Sequence, residues 1–179
     1  MKYTTMAQIK SNLKPQDIVI LLKIIDLGDK EWFHHTLAED LVMSQSEISQ
    51  SLNRSRYAGL LDDKRKKVNR IAFNEFLIHG LSYVFPQQPG AIVRGILTAH
   101  SAAPLNQIIN ATEKYVWPYA KGNERGQSIL PLYPTVVEAV FKDNVLYELL
   151  ALVDALRVGR VREKELAKKE IEKRILNVQ

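Results

Sequence analysis

The chain has 179 residues, 46% of them apolar and 25% charged, with a formal net charge of +5 and no cysteine. Disulfides, thiolate metal sites and cysteine nucleophiles are therefore excluded. No apolar run reaches the roughly 18 residues of a membrane span. The N-terminus lacks a basic start leading into an apolar run, so no signal peptide and no membrane partner are expected. The reading is a cytoplasmic globular protein of one large or two small domains.

Pro15 to Leu27 reads as a helix. Pro15 suits its first turn, Ile18, Leu21, Leu22 and Ile25 line one face, and Gly28 stops it. Lys30 to His35 is a connector whose Trp32 and Phe33 are expected to anchor the core. Leu37, Ala38 and Leu41 then share one face of a short helix. Ser44 follows as an N-cap with Glu47 three residues on, which is the signature of a helix restarting. Ile48, Leu52 and Leu60–Leu61 carry the apolar stripe of that second helix. Gln45, Ser46, Ser49, Gln50, Asn53 and Arg54 fall mostly off the stripe. Two short helices joined by a tight turn, the second with a hydrogen-bonding outer face, are what reading a DNA major groove requires.

The run from Leu37 to Gln50 resembles the helix-turn-helix of winged-helix transcription regulators of the MarR type. In that pattern a small residue (Ala38) lets the two helices approach. An apolar residue ten positions later (Ile48) locks them, and a serine (Ser44) begins the recognition helix. Val42 departs from the pattern. The family usually has glycine there, because the turn often takes a positive φ that costs a β-branched residue energy. The resemblance spans Pro15 to Leu81. It implies a sequence-specific transcriptional regulator that binds double-stranded DNA, works as a homodimer on two-fold sites, and answers to a small-molecule or protein effector.

Asp62 to Arg70 stands where a wing hairpin belongs, with Val68, Ile71 and Phe73 as its returning strand. The segment is short and has no Asn-Gly or Asp-Gly turn. From Arg54 to Arg70 seven basic residues face two acidic ones, a local +5 that equals the excess of the whole chain. Arg54, Arg56, Lys64, Arg65, Lys66 and Lys67 follow the candidate reading helix directly, as phosphate contacts do. Gln45, Ser46, Ser49, Gln50 and Asn53 suit base edges, with Ser44 at the helix start. The competing reading of the charged run is a solvated surface loop.

Asn74 to Leu81 reads as a helix, with Gly80 near its end. Residues 82 to 134 are punctuated by Pro and Gly, with short apolar pieces at Ala91–Leu97, Leu105–Ile109, Tyr115–Trp117 and Ile129–Tyr133 that suit short strands. Their aromatic and Ile content is too high for disorder. Thr135 to Phe141 is the next helix. Asp143 caps another in which Leu146, Leu149, Leu150, Val153 and Leu156 form a broad stripe, and a charged helix follows Gly159. That stripe is either intramolecular core or the dimer interface. Arg157/Asp154 and Glu163/Arg160 read as helix-surface charges.

No catalytic, metal or cofactor motif appears. The histidines at 34, 35, 79 and 100 lack ligand spacing, and His100–Ser101 are mere neighbours without a nucleophile elbow. The expectation is a mainly α chain, with a winged helix-turn-helix domain over residues 1–81. An irregular segment and C-terminal helices over residues 82–179 would serve dimerisation and sensing. Two alternatives stay open: a winged-helix module that binds a protein surface, and a small enzyme with its site in residues 82–134.

Overall fold

The structure is a computed structural model and describes residues 12–176. The first eleven residues, on which the absence of a leader was read, lie outside that range. α1 (Pro15–Leu27) begins with proline in its first turn and ends at Gly28, whose φ of 59° suits glycine. Ile18, Val19, Ile20, Leu21 and Leu22 are all fully buried. A helix apolar on every side belongs inside, and α1 packs on both α3 (Gln45–Tyr57) and α7 (Asn144–Val158).

α2 (His34–Leu41) precedes α3, and the turn between them is closed by Met43 N–H to the Ala38 carbonyl at 2.9 Å. Val42 occupies the left-handed region there, with φ 54° and ψ 45°. Trp32 is buried as expected, but Phe33 is 48% exposed, because it serves as the extended residue that starts α2. α3 stops at Tyr57, four residues short of the expected end. Gly59 takes φ 76° and Leu60 N–H closes onto the Ser55 carbonyl. Leu60 and Leu61 are still buried, but from the following loop.

The expected returning strand is a single antiparallel bridge, Leu61 to Val68. Asn69 accepts a hydrogen bond from Ala72 N–H and starts a helix, so Ile71 and Phe73 are helical and not in a wing strand. That helix is α4 (Arg70–Glu75), a π turn (Phe76–Gly80) and α5 (Leu81–Val84) in succession. The helical run passes through Gly80 and stops four residues later, at Val84.

The middle of the chain forms a small closed sheet. β1 (Ile92–Leu97) pairs antiparallel with both β2 (Tyr115–Pro118) and β3 (Glu124–Ser128), and β2 pairs parallel with β3. Ala91–Leu97 and Tyr115–Trp117 thus become strands. Leu105–Ile109 begins as a 3-10 turn, and Ile129–Tyr133 is not a strand. α6 (Val136–Val140) leads into α7, whose N-cap Asp143 accepts from Leu146 N–H at 2.9 Å.

Leu146, Leu149, Leu150, Val153 and Leu156 are all buried inside the chain. The broad stripe is intramolecular core, which removes it as a dimer interface. α8 (Val161–Leu176) lays Ala167, Ile171 and Ile175 on the same core and packs against α4. Residue 81, the expected end of the first domain, opens α5, and a single continuous core runs from α1 to α8. The fold is mainly helical with one small sheet. No helix among the described residues is long and apolar enough to cross a membrane.

Candidate nucleic-acid interface

α3 docks by Ile48 and Leu52, both fully buried. Residues three and four apart share a helix face, so Ser46, Gln50 and Asn53 fall on the side away from Ile48 and Leu52, whereas Gln45, Ser49 and Arg56 flank that stripe. All are exposed except Ser49, which is half-buried. Ser44 accepts from Glu47 N–H at 3.1 Å and caps the helix. The reciprocal half of the capping box is absent. The Glu47 carboxylate instead accepts from Arg54 at 2.6 Å and from Gln16 at 3.0 Å. Burial pushes that carboxyl up, but these hydrogen bonds outweigh it and hold Glu47 below its usual range.

Arg54 is the site residue that the structure places elsewhere. It is 6% exposed, and its guanidinium forms a fork onto the fully buried Asp17, with Nε to Oδ2 at 2.9 Å and Nη2 to Oδ1 at 2.6 Å. It clamps α3 to α1 and presents nothing to solvent. Sequence reading missed Asp17 because its other bond, from Lys14 N–H at 2.8 Å, is an ordinary helix-start contact. Nothing local announces a partner 37 residues away.

The basic loop is tightly built. Asp62 Oδ1 accepts from the backbone N–H of Lys66 at 2.6 Å and of Lys67 at 2.9 Å, and its backbone N–H donates to the Lys67 carbonyl. Burial works against these bonds, yet they hold the Asp62 carboxyl below its usual value. Lys66 turns back onto the connector before α2. Its ammonium lies 4.3 Å from the Trp32 ring centroid and donates to the Trp32 carbonyl at 3.1 Å. Arg65 donates to Asn53 at 2.9 Å. Lys64 and Lys67 are exposed. Of the four cations of the run, Arg65 and Lys66 make side-chain contacts that fasten the loop, although Lys66 is exposed like Lys64 and Lys67.

Away from this face, the middle segment holds an interior polar node. Asp154, 2% exposed, accepts from Trp117 Nε1 at 2.6 Å, Arg157 Nη1 at 2.8 Å and Thr98 Oγ1 at 2.9 Å. Burial pushes its carboxyl up and the three donors oppose that. The Arg157/Asp154 pair is thus core and not surface, because α7 turns it toward the sheet. Arg160 and Glu163 also depart from a plain surface pair. Glu163 is buried, and its carboxylate accepts from the backbone N–H of Arg160 at the start of α8. His100 is buried with Nε2 2.9 Å from the Glu113 carbonyl, whereas Ser101 Oγ accepts from Tyr115 N–H, so the two neighbours serve separate structural bonds. Among the described residues, no three or more His, Asp or Glu side chains come together to hold a metal ion.

No protein-family model, curated protein or solved structure matches the chain. The geometry of the site is what a functional reading rests on.

Proposed function

We propose that this protein is a sequence-specific regulator that binds double-stranded DNA through α3 and the loop that follows it, acting by occupancy of a site and not by chemistry. One observation carries the reading. α3 is capped and clamped to the core along its inner side, and it exposes Gln45, Ser46, Gln50 and Asn53, with Ser49 half-buried at the edge, beside the exposed Lys64 and Lys67. A rigid helix with amide and hydroxyl groups on its free face, next to cations for phosphate, matches the division between base readout and backbone contact. Pairing of two copies on a two-fold site is part of the proposal. It draws on a surface other than the Leu146–Leu156 stripe, which the core already uses.

Selection from a pool of random duplexes tests this. Replacing Gln45, Ser49 and Asn53 together with Ala should abolish the selected preference while the far-ultraviolet spectrum stays unchanged, since each good base contact is worth about 1–3 kcal/mol. Lys64→Gln with Lys67→Gln should weaken binding to all duplexes alike. It should also lower the slope of log affinity against log salt by about two. Lys66→Gln should leave that slope nearly unchanged and alter Trp32 fluorescence instead. A chain that binds duplex no better than a neutral protein refutes the reading and favours a protein-binding module.

A further inference from the structure

We infer that the hollow between residues 109–113 and the start of α8 binds a free α-amino acid, its ammonium at His100 and Glu163 and its carboxylate at Arg162. The inference goes beyond the DNA-binding reading and does not rest on it, because the hollow shares no residue with α3 or the basic loop. Two buried acceptors meet at its floor. His100 is 3% exposed and Glu163 8%. His100 Nε2 lies 2.9 Å from the Glu113 carbonyl, and the Tyr115 ring packs edge-on against the imidazole. A carbonyl only accepts, so Nε2 carries the hydrogen and Nδ1 of the neutral ring is an acceptor. Among the described residues Nδ1 has no hydrogen-bond partner, and it faces Glu163 Oε2 at 3.6 Å. That oxygen accepts from the backbone N–H of Arg160 at 2.8 Å, a donor without a full charge.

A buried acceptor without a donor is costly, and a buried carboxylate without a counter-charge is more so. One group answers both needs if it brings several hydrogens and a positive charge. A hydroxyl brings one hydrogen and no charge, water two and no charge, and a primary ammonium three with a charge. The space lies beside the pair. Glu163 lines a hollow of about 350 Å³, and His100 lines a smaller one of about 170 Å³ that shares Ile109, Asn110 and Ala111 with it. Small-molecule sites begin at about 300 Å³. The charged residues around the larger hollow are Glu113, Glu163, Arg160 and Arg162, so their formal charges cancel. They are also separated. The Arg160 guanidinium turns to Glu113 at 3.2 Å, whereas Arg162 is exposed and makes no ion pair among the described residues. Arg162 lies in the first turn of α8, where the helix dipole also favours a carboxylate. A purely cationic ligand would meet Arg162 and a purely anionic one Glu163. A zwitterion suits both.

The experiment titrates the intact chain, without DNA, with each of the common amino acids in turn. The readouts are the thermal midpoint and the imidazole nitrogen signals of His100. At least one amino acid should raise the midpoint and move the Nδ1 signal while Nε2 stays in place. The amine that lacks its carboxylate, and the acid that lacks its amine, should each bind about tenfold or more weakly, the scale of one lost charge-assisted hydrogen bond. Glu163→Gln keeps an oxygen for the Arg160 N–H and turns an NH2 toward Nδ1. It should lose binding by about tenfold or more without lowering the midpoint of the free protein. Arg162→Gln, at an exposed position, should weaken the amino acid by a similar factor and leave the amine unaffected. Three results overturn the inference: no amino acid moves either readout at millimolar concentration, the amine alone binds as well as the amino acid, or Glu163→Gln binds undiminished. A ligand-free His100 with hydrogens on both nitrogens overturns it as well, since the ring then donates to Glu163 itself. Each of these leaves the DNA-binding reading standing.

Discussion

Arg54 and Asp17 form a buried, two-pronged ion pair that joins the candidate reading helix to α1, whose Ile18–Leu22 run is fully buried. The Asp17 carboxylate is fully enclosed and accepts from both the Arg54 guanidinium and the Lys14 backbone. The orientation of the polar face of α3 is therefore set by a charge pair as well as by Ile48 and Leu52.

Removing one member of such a pair leaves the other charged and dry, which costs about 3–5 kcal/mol. Arg54→Ala should lower the unfolding free energy by that amount in a denaturant titration. Asp17→Leu combined with Arg54→Met should recover part of the loss, since two apolar groups leave no orphaned charge. If Arg54→Ala weakened DNA binding at unchanged stability, the residue would be a DNA contact and not a clamp.

Val42 sets up the opposite test. A β-branched side chain at φ 54° is held in the left-handed region at a cost of roughly 1–2 kcal/mol, partly offset by the greater chain entropy that glycine loses on folding. Val42 is 44% exposed, so its truncation gives up little burial. Val42→Gly should raise stability by about 0.5–1 kcal/mol, seen as a higher denaturation midpoint, with unchanged affinity for duplex DNA.

Acid should loosen the loop before it unfolds the protein. Hydrogen bonds from the Lys67 and Lys66 backbone, working against burial, hold the Asp62 carboxyl below its usual value. A depressed acid contributes stability that is present above its unfolded pKa of about 3.9 and is lost as pH falls through the lower folded value. Amide exchange at Lys66 and Lys67 should therefore stay slow from neutral pH down to about pH 4 and quicken below it relative to the acid-catalysed baseline. Asp62→Ala should show the fast rate at every pH. Equal protection in the variant at pH 7 would remove Asp62 as the organiser of the loop.

What the sequence alone determined were features decided within one or two helical turns. Pro15 and Gly28 bound α1, Ser44 and Asp143 cap α3 and α7, and the Leu146–Leu156 stripe marks a buried helix face. These signals are backbone hydrogen bonds and a 3.6-residue period, and both act between near neighbours. β3, with the sequence Glu-Arg-Gly-Gln-Ser, was invisible because it carries no alternation of its own and is held by pairing with β1 and β2. Only the tertiary structure decided which charges are free. Arg54 and Arg56 look alike in the sequence, two residues apart in one basic run, yet one turns inward to Asp17 and the other faces solvent. Lys66 and Lys67 are adjacent, and only Lys66 settles on Trp32. A charge chooses its partner by distance and burial after the chain has folded, and the partners here lie 12 to 37 residues away.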